Sequence, residues 1–227
     1  RDAGGKGMNV TLPFKHEAWN LVTAHAGYAL AAGAVNTIEF QDSEIIGHNT
    51  DGIGLVRDIK DNLRCEIKGK RVLLTGAGGA TYGVMEPLLR EQPAEIVVAN
   101  RTPEKAVALV GHFEKFQAFA LRGMTARPYA ELRGAPFDVV INATSAGLSD
   151  AMPLLPEEIF APGAFAYDMV YGRTTPFVAF ARARGARAAD GIGMLVEQAA
   201  ESFFIWRGVR PETAPVIAML KRVNSES

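Results

Sequence analysis

The chain has 227 residues, enough for one large domain or two modest ones, and its 24 basic against 25 acidic side chains leave a net charge of −1. No field of one sign favours nucleic acid or an anionic membrane, and the basic residues are scattered rather than striped. Hydrophobic residues at 48% give a sizeable core, while a single cysteine, Cys65, excludes an internal disulfide. No apolar run is long enough to span a bilayer, and His16, His25, His48 and His112 lack metal-ligand spacing, so neither a membrane nor a metal is expected. A reducing cytoplasm fits this composition.

The chain opens on Arg1-Asp2-Ala3 without an initiator methionine, and part of an N-terminal segment is expected to be missing from it. Met8 to Leu12 reads as a short strand ended by Pro13. The apolar spacing of Trp19, Val22 and the alanines predicts one helix over 15–32. A strand over 34–40, a turn at 41–44 and a returning strand over 45–47 deliver the loop Asn49-Thr50-Asp51-Gly52, with a helix over 52–62. From Gly69 the pattern becomes strand–helix alternation. Strands fall at 71–75, 95–99, 137–141 and 164–167, with helices up to Arg90 and over 103–113. Continuous apolar strands separated by helices indicate a parallel sheet covered on both faces. A long helix over 192–206 and a short one over 215–223 close the chain, and there is no internal repeat.

Gly76-Ala77-Gly78-Gly79-Ala80 lies between a strand and a helix. The first glycine permits a tight turn, and absent Cβ atoms let backbone N–H groups approach a pyrophosphate at the helix N-terminus. The strand–helix context raises dinucleotide binding above an ordinary turn. After the second strand comes Asn100-Arg101-Thr102, with Lys105 one turn on. A carboxylate there would bind a ribose 2′-hydroxyl; a guanidinium instead suits a 2′-phosphate, which favours NADP over NAD.

Three polar clusters precede this region: Asn9-Val10-Thr11-Leu12-Pro13-Phe14-Lys15, Ala34-Val35-Asn36-Thr37 and Asn49-Thr50-Asp51-Gly52. Singly, each has a bland reading, such as Asp51 capping a helix. Later come Asn142-Ala143-Thr144-Ser145-Ala146-Gly147, Tyr167-Asp168-Met169-Val170-Tyr171, and Asp190-Gly191 leading to Gln198. Together, in this order, the clusters resemble the shikimate dehydrogenase family, over Gly5 to about Arg210.

The resemblance implies an α/β fold with a Rossmann-type doubly wound parallel sheet, a smaller α/β substrate domain, and the active site in the cleft between them. It divides the chain into a substrate-binding domain (1–62), an NADP-binding domain (63–189) and C-terminal helices (190–227) returning to the first. It makes Lys15 and Asp51 the catalytic pair and Thr11, Asn36, Tyr171 and Gln198 substrate-binding residues. Gly76, Ala77, Gly78, Gly79, Ala80, Asn100, Arg101, Thr102 and Lys105 would hold NADP, with Met169 and Gly191 near the nicotinamide. The implied reaction is the reversible, NADP-dependent reduction of 3-dehydroshikimate to shikimate in aromatic amino-acid biosynthesis, by a monomer or homodimer. Lys15 would give the proton, and Asp51 would mainly orient it, since a nearby carboxylate favours the charged lysine.

The chain departs from the family pattern in places. Thr81-Tyr82 replaces a small residue and an arginine, Lys105 stands where arginine is frequent, and Gly27 stands where polar residues are usual. The S-x-S motif that binds the substrate carboxylate does not occur before Asn9. Two other readings remain open from the sequence: a quinate/shikimate dehydrogenase using NAD, and a non-catalytic NADP-binding or partner-binding module.

Overall fold

A computed structural model describes residues 4–11, 13–116, 123–144 and 152–225. Strands β1 (Gly7–Asn9), β2 (Ala24–His25), β3 (Thr37–Phe40) and β4 (Ile45–His48) form a small sheet in the order β1-β3-β4-β2. β3 is antiparallel to both its neighbours, whereas β2 runs parallel to β4. Helices α1 (Lys15–Leu21) and α2 (Tyr28–Ala32) accompany it, and Ala18, Ala29, Val35 and Ile38 form its core.

The single helix expected over 15–32 is therefore broken. Val22, at the end of α1, is extended (φ −80°, ψ 152°). Thr23 then uses its hydroxyl as a strand would use its backbone, accepting from Ile45 N at 2.8 Å and donating to Ile45 O at 3.1 Å. Two adjacent β-branched residues favour this extension, and Gly27 at φ +50° turns the chain into α2. The apolar alanine pattern belongs to two short helices rather than one long one. The first strand is likewise shorter than expected, ending at Asn9; Leu12 lies outside the described residues.

Helix α3 (Asp51–Arg57) continues as a π turn over Asp58–Asn62 and leads to the larger sheet. Its strands are β5 (Arg71–Thr75), β6 (Glu95–Ala99), β7 (Met124–Arg127), β8 (Phe137–Asn142), β9 (Phe160–Asp168) and β10 (Arg187–Ala189). They are all parallel, in the order β10-β9-β8-β5-β6-β7. Numbered within the sheet, this is the doubly wound order 3-2-1-4-5-6, whose direction reverses beside β5, where the glycine turn leaves the sheet. β7 and β10 had no sequence signal, being edge strands of four and three residues in which Met124 is the one large apolar side chain.

Strand alternation sends two sets of side chains to opposite faces. Val72, Leu74, Ile96, Val98, Ile141 and Tyr167 pack under α4 (Gly79–Arg90) and α5 (Pro103–Glu114). Leu73, Val97, Val140 and Ala166 pack under α6 (Pro176–Ala183). Leu55 and Ile59, from α3 and its π turn, belong to the first of these cores, and so does Ala31 of α2, which brings a helix of the small sheet into the same buried hydrocarbon. Helix α7 (Ile192–Arg207) runs back to the small sheet, where Trp206 Nε1 donates to Ile38 O at 2.9 Å. This approach needs Gly7, because a Cβ there would stand 2.1 Å from Trp206 Nε1. Helix α8 (Ala214–Ser225) follows.

Candidate active site

Lys15 opens α1 and Asp51 opens α3, and their side chains meet with Nζ 2.6 Å from Oδ2. The other carboxylate oxygen accepts from Asn36 Nδ2 at 2.8 Å. The orientation of the Asn36 amide is fixed by chemistry: Thr50 N, which can only donate, lies 2.9 Å from Oδ1. Thr37 Oγ1 donates to the same Oδ1 at 2.9 Å. Ser202 Oγ lies 2.7 Å from Thr37 Oγ1 and donates to the backbone of its own helix at Gln198 O, 3.1 Å away. Ser202 accepts in turn from Asn9 Nδ2 at 3.0 Å. A continuous chain of polar contacts therefore links Asn9, Ser202, Thr37, Asn36 and Asp51, with Lys15 closing it from the other side.

Lys15, Asp51, Thr11, Asn36, Tyr171, Gln198, Met169 and Gly191 all line one cavity of about 350 Å³, as do Asn9, Met194 and Leu195. The structure thus gathers every residue expected for catalysis and substrate. Gly191 tolerates no side chain, since a Cβ would stand 2.5 Å from Met169 O. The loop bearing Met169 and Tyr171 is held by Asp168, which is fully buried and accepts from Thr175 Oγ1 (2.5 Å), Val170 N (3.0 Å) and Asn142 Nδ2 (3.2 Å). Burial raises the Asp168 pKa above the usual carboxylate value, against the pull of those donors.

Behind the cavity, Tyr167 donates to Asp58 Oδ2 at 2.7 Å, joining β9 to the π turn. Burial raises the Asp58 pKa, and the hydrogen bonds from Tyr167 and Asn62 oppose it. Sequence reasoning missed Ser202, Thr50 and Asp58. Ser202 had one available signal: it stands one helical turn beyond Gln198, on the same face.

Of the residues expected to hold a dinucleotide, Met169 and Gly191 line that cavity, whereas Gly76 to Ala80, Asn100 to Thr102 and Lys105 do not. Gly76 has φ +99°, and a Cβ there would come within 3.1 Å of Ala143 and Thr144. Gly78 faces open space, and no acidic residue occupies the first turn of α4. Thr81, one of the departures, closes the turn by donating to Gly76 O at 3.0 Å. Tyr82, the other, packs edge-on against His112 at 5.3 Å and is turned into the core. Asn100 Nδ2 donates to Thr102 O at 2.9 Å, while Arg101 and Lys105 are exposed at the start of α5. Arg101 is near enough to Tyr129 to oppose the burial that pushes its hydroxyl up to about 12. The open glycine cradle, the helix start free of acidic residues and the two cations fit a phosphorylated dinucleotide. Ser145-Ala146-Gly147 lie outside the described residues.

A six-stranded parallel sheet of this order, with an ammonium–carboxylate pair in the adjoining cavity, defines a dinucleotide-dependent oxidoreductase. Family models match in three places: the shikimate dehydrogenase substrate binding domain over residues 1–38, shikimate / quinate 5-dehydrogenase over 57–150, and the shikimate 5′-dehydrogenase C-terminal domain over 191–221. A shikimate dehydrogenase (NADP(+)) of Dechloromonas aromatica is 57% identical over 221 residues, 96% of this chain and 78% of that one. An Ael1 enzyme from Pseudomonas putida superposes with TM-score 0.90 at 46% identity, over 97% of this chain and 80% of that one. The shikimate 5-dehydrogenase of Thermus thermophilus, solved with NADP(H) and shikimate, gives TM-score 0.83 at 32% identity, over 96% of this chain and 79% of that one. The chain belongs to the shikimate dehydrogenase family.

Proposed function

We propose that the chain catalyses the reversible, NADP-dependent reduction of 3-dehydroshikimate to shikimate. The observation that carries this reading is the Lys15–Asp51 pair, 2.6 Å apart on the wall of a cavity otherwise lined by neutral polar and apolar groups. Reduction of a ring ketone needs a hydride at carbon and a proton at oxygen. NADPH, when bound, supplies the hydride. Lys15 supplies the proton, and its charge stabilises the alkoxide as it forms. Asp51 holds Lys15 in place and is itself held by Asn36, so neither charge is free to turn away. In the oxidative direction Lys15 takes the hydroxyl proton back.

Thr11, Asn36, Tyr171 and Gln198 each offer a group that hydrogen-bonds a hydroxyl, which suits a polyhydroxylated ring and rejects analogues lacking those hydroxyls. Gly76, Ala77, Gly78, Gly79 and Ala80 would hold the pyrophosphate. Asn100, Arg101, Thr102 and Lys105 would hold the adenosine 2′-phosphate, and Met169 and Gly191 would border the nicotinamide. No carboxylate stands at Asn100-Arg101-Thr102, so the site offers nothing for NAD in particular. The substrate-binding region (1–62), the nucleotide-binding region (63–189) and the returning helices (190–227) are read as three parts of one catalytic body. A cytoplasmic setting suits the lone cysteine, and the assembly is read as a monomer or homodimer.

The test is shikimate oxidation with NADP+ and with NAD+. The parent chain is expected to prefer NADP+, and Lys15→Ala to lower kcat by about 10²–10⁴, the usual worth of a positioned acid. Near-parental turnover by Lys15→Ala would remove Lys15 from the chemistry.

A further inference from the structure

His16 follows Lys15 on α1 and takes no part in the acid–base pair. Its Nδ1 lies 3.0 Å from Gly33 O. A carbonyl only accepts, so Nδ1 carries the hydrogen and the ring is fixed by that anchor. The opposite nitrogen, Nε2, faces the nucleotide turn across the cleft: a Cβ built on Gly79 would stand 3.8 Å from it. Gly79 is the first residue of α4, where backbone N–H groups have no helical partner. Among the described residues no hydrogen bond engages Nε2. A ring on the substrate side, anchored by one nitrogen, thus presents the other beside Gly79 at the start of α4, next to the space that Gly78 leaves open.

We propose that His16 is a cofactor-binding residue, donating from Nε2 to the pyrophosphate of NADP seated on the glycine turn. This rests on the reading of Gly76 to Ala80 as the pyrophosphate site. A neutral ring anchored through Nδ1–H turns a lone pair toward the turn, and a lone pair repels a phosphate oxygen. The contact therefore requires the imidazolium, so binding of the cofactor is coupled to uptake of one proton from solvent at His16 Nε2. Among the described residues, the charged groups of the elements around the ring are accounted for elsewhere and none is hydrogen-bonded to Nε2. α2 has no charged residue in its first or last turn, and α4 has no acidic residue in its first. Asp51, 3.5 Å from where a Gly83 Cβ would stand, is engaged with Lys15, and Glu86 is paired with Arg90. Glu17, beside His16 on α1, is the remaining carboxylate on that element. The bond would also join the helix that carries Lys15 directly to the cofactor, drawing the acid toward the nicotinamide.

The test is calorimetric titration of NADP+ and of adenosine 2′-monophosphate, which has the 2′-phosphate but no pyrophosphate, in two buffers of different ionisation enthalpy. His16→Gln and His16→Ala are expected to weaken NADP+ by roughly tenfold, a charge-assisted hydrogen bond lessened by solvent. Both should abolish the proton uptake that NADP+ shows in excess of adenosine 2′-monophosphate, whose phosphate titrates on its own account, and leave adenosine 2′-monophosphate unchanged. Unaltered NADP+ affinity or proton uptake in the variants overturns the role of His16, as does equal weakening of both ligands, which marks a general structural effect. A parent chain that binds adenosine 2′-monophosphate but gains nothing from the pyrophosphate overturns the reading of the glycine turn itself, and His16 with it.

Discussion

Ser202 has no contact with the cavity's reacting groups, yet four residues depend on its hydroxyl. It contacts Asn9 Nδ2 (3.0 Å), Thr37 Oγ1 (2.7 Å), Gln198 O (3.1 Å) and Thr50 Oγ1 (3.4 Å), and it is fully buried. Ser202→Ala removes the hydroxyl that lies 2.7 Å from Thr37 Oγ1 and leaves Asn9 Nδ2 without one of its acceptors, so the amide of Asn36 loses part of what fixes it against Asp51. A net cost of about 1–3 kcal/mol is expected for unpairing buried polar groups. If it falls on the site, kcat/KM for shikimate drops by roughly 5- to 100-fold, while NADP+ affinity holds because Ser202 touches no part of the nucleotide turn. Steady-state kinetics with each substrate varied in turn check this; equal losses for both would mean that the helix, and not the site, is disturbed. At this scale the sequence was most legible where a residue lies in a dense motif. Lys15, Asn36, Asp51 and Gln198 could each be named in advance. Asp58 could not, and Ser202 only by its place one turn beyond Gln198, because their importance comes from contacts between segments 109 to 193 positions apart.

Among elements, α7 carries the widest set of duties. Met194 enters the core of the large sheet, Gln198 and Ser202 serve the cavity, and Trp206 reaches the small sheet. Its orientation is secured from another face by Glu197. That carboxylate accepts from Thr213 Oγ1 (2.6 Å), Arg210 (2.8 Å) and Asn62 Nδ2 (3.2 Å), tying α7 to the segment before α8 and to the π turn. Burial pushes its pKa up, but the hydrogen bonds from Thr213, Asn62 and Arg210, with the Arg210 charge, outweigh burial and hold it below the usual glutamate value. A depressed folded value means that the unfolded chain binds the proton more readily. The stabilisation is therefore complete above the unfolded value of about 4.3 and is lost as pH falls through the folded one. Glu197→Gln is expected to lower stability at pH 7 by about 1–3 kcal/mol, or about 2–4 °C in Tm for each kcal/mol. The gap between parent and variant should close as acid is approached; a gap constant from pH 7 to 3 would show that shape, not charge, is at work. The long apolar periodicity of α7 made it visible in sequence. The same logic misread residues 15–32, where alanine-rich periodicity ran on through a strand that exists only because Thr23 and Ala24 find a partner in β4.

For the whole molecule, the parallel sheet was readable from its strand–helix alternation, and its edges were not, because an edge strand of three or four residues with at most one large apolar side chain carries no pattern of its own. The packing between the sheets was also hidden, since nothing in a linear pattern says that Leu55 and Ile59 enter the same core as Val72 and Ile96. That packing makes a prediction about cooperativity. α3 and its π turn bury apolar groups against the large sheet, and α7 runs between the two sheets. Tyr167 reaches the π turn with a buried hydrogen bond. Unfolding of the small sheet alone would strip Ala31 from the shared core and leave Trp206 Nε1 and the Ser202 hydroxyl without their partners Ile38 O and Thr37, so the two sheets should melt together. The chain's two tryptophans, Trp19 and Trp206, both adjoin the small sheet, and their fluorescence reports on that part, whereas far-UV circular dichroism reports on the whole. The two signals should give one midpoint. NADP+ at about 100 times its Kd should raise both by the same amount, from roughly 2.7 kcal/mol of added stability, although the nucleotide turn belongs to the large sheet. An early tryptophan transition that NADP+ leaves in place would mean that the small sheet opens independently, and that the cleft is a hinge between two separately stable units.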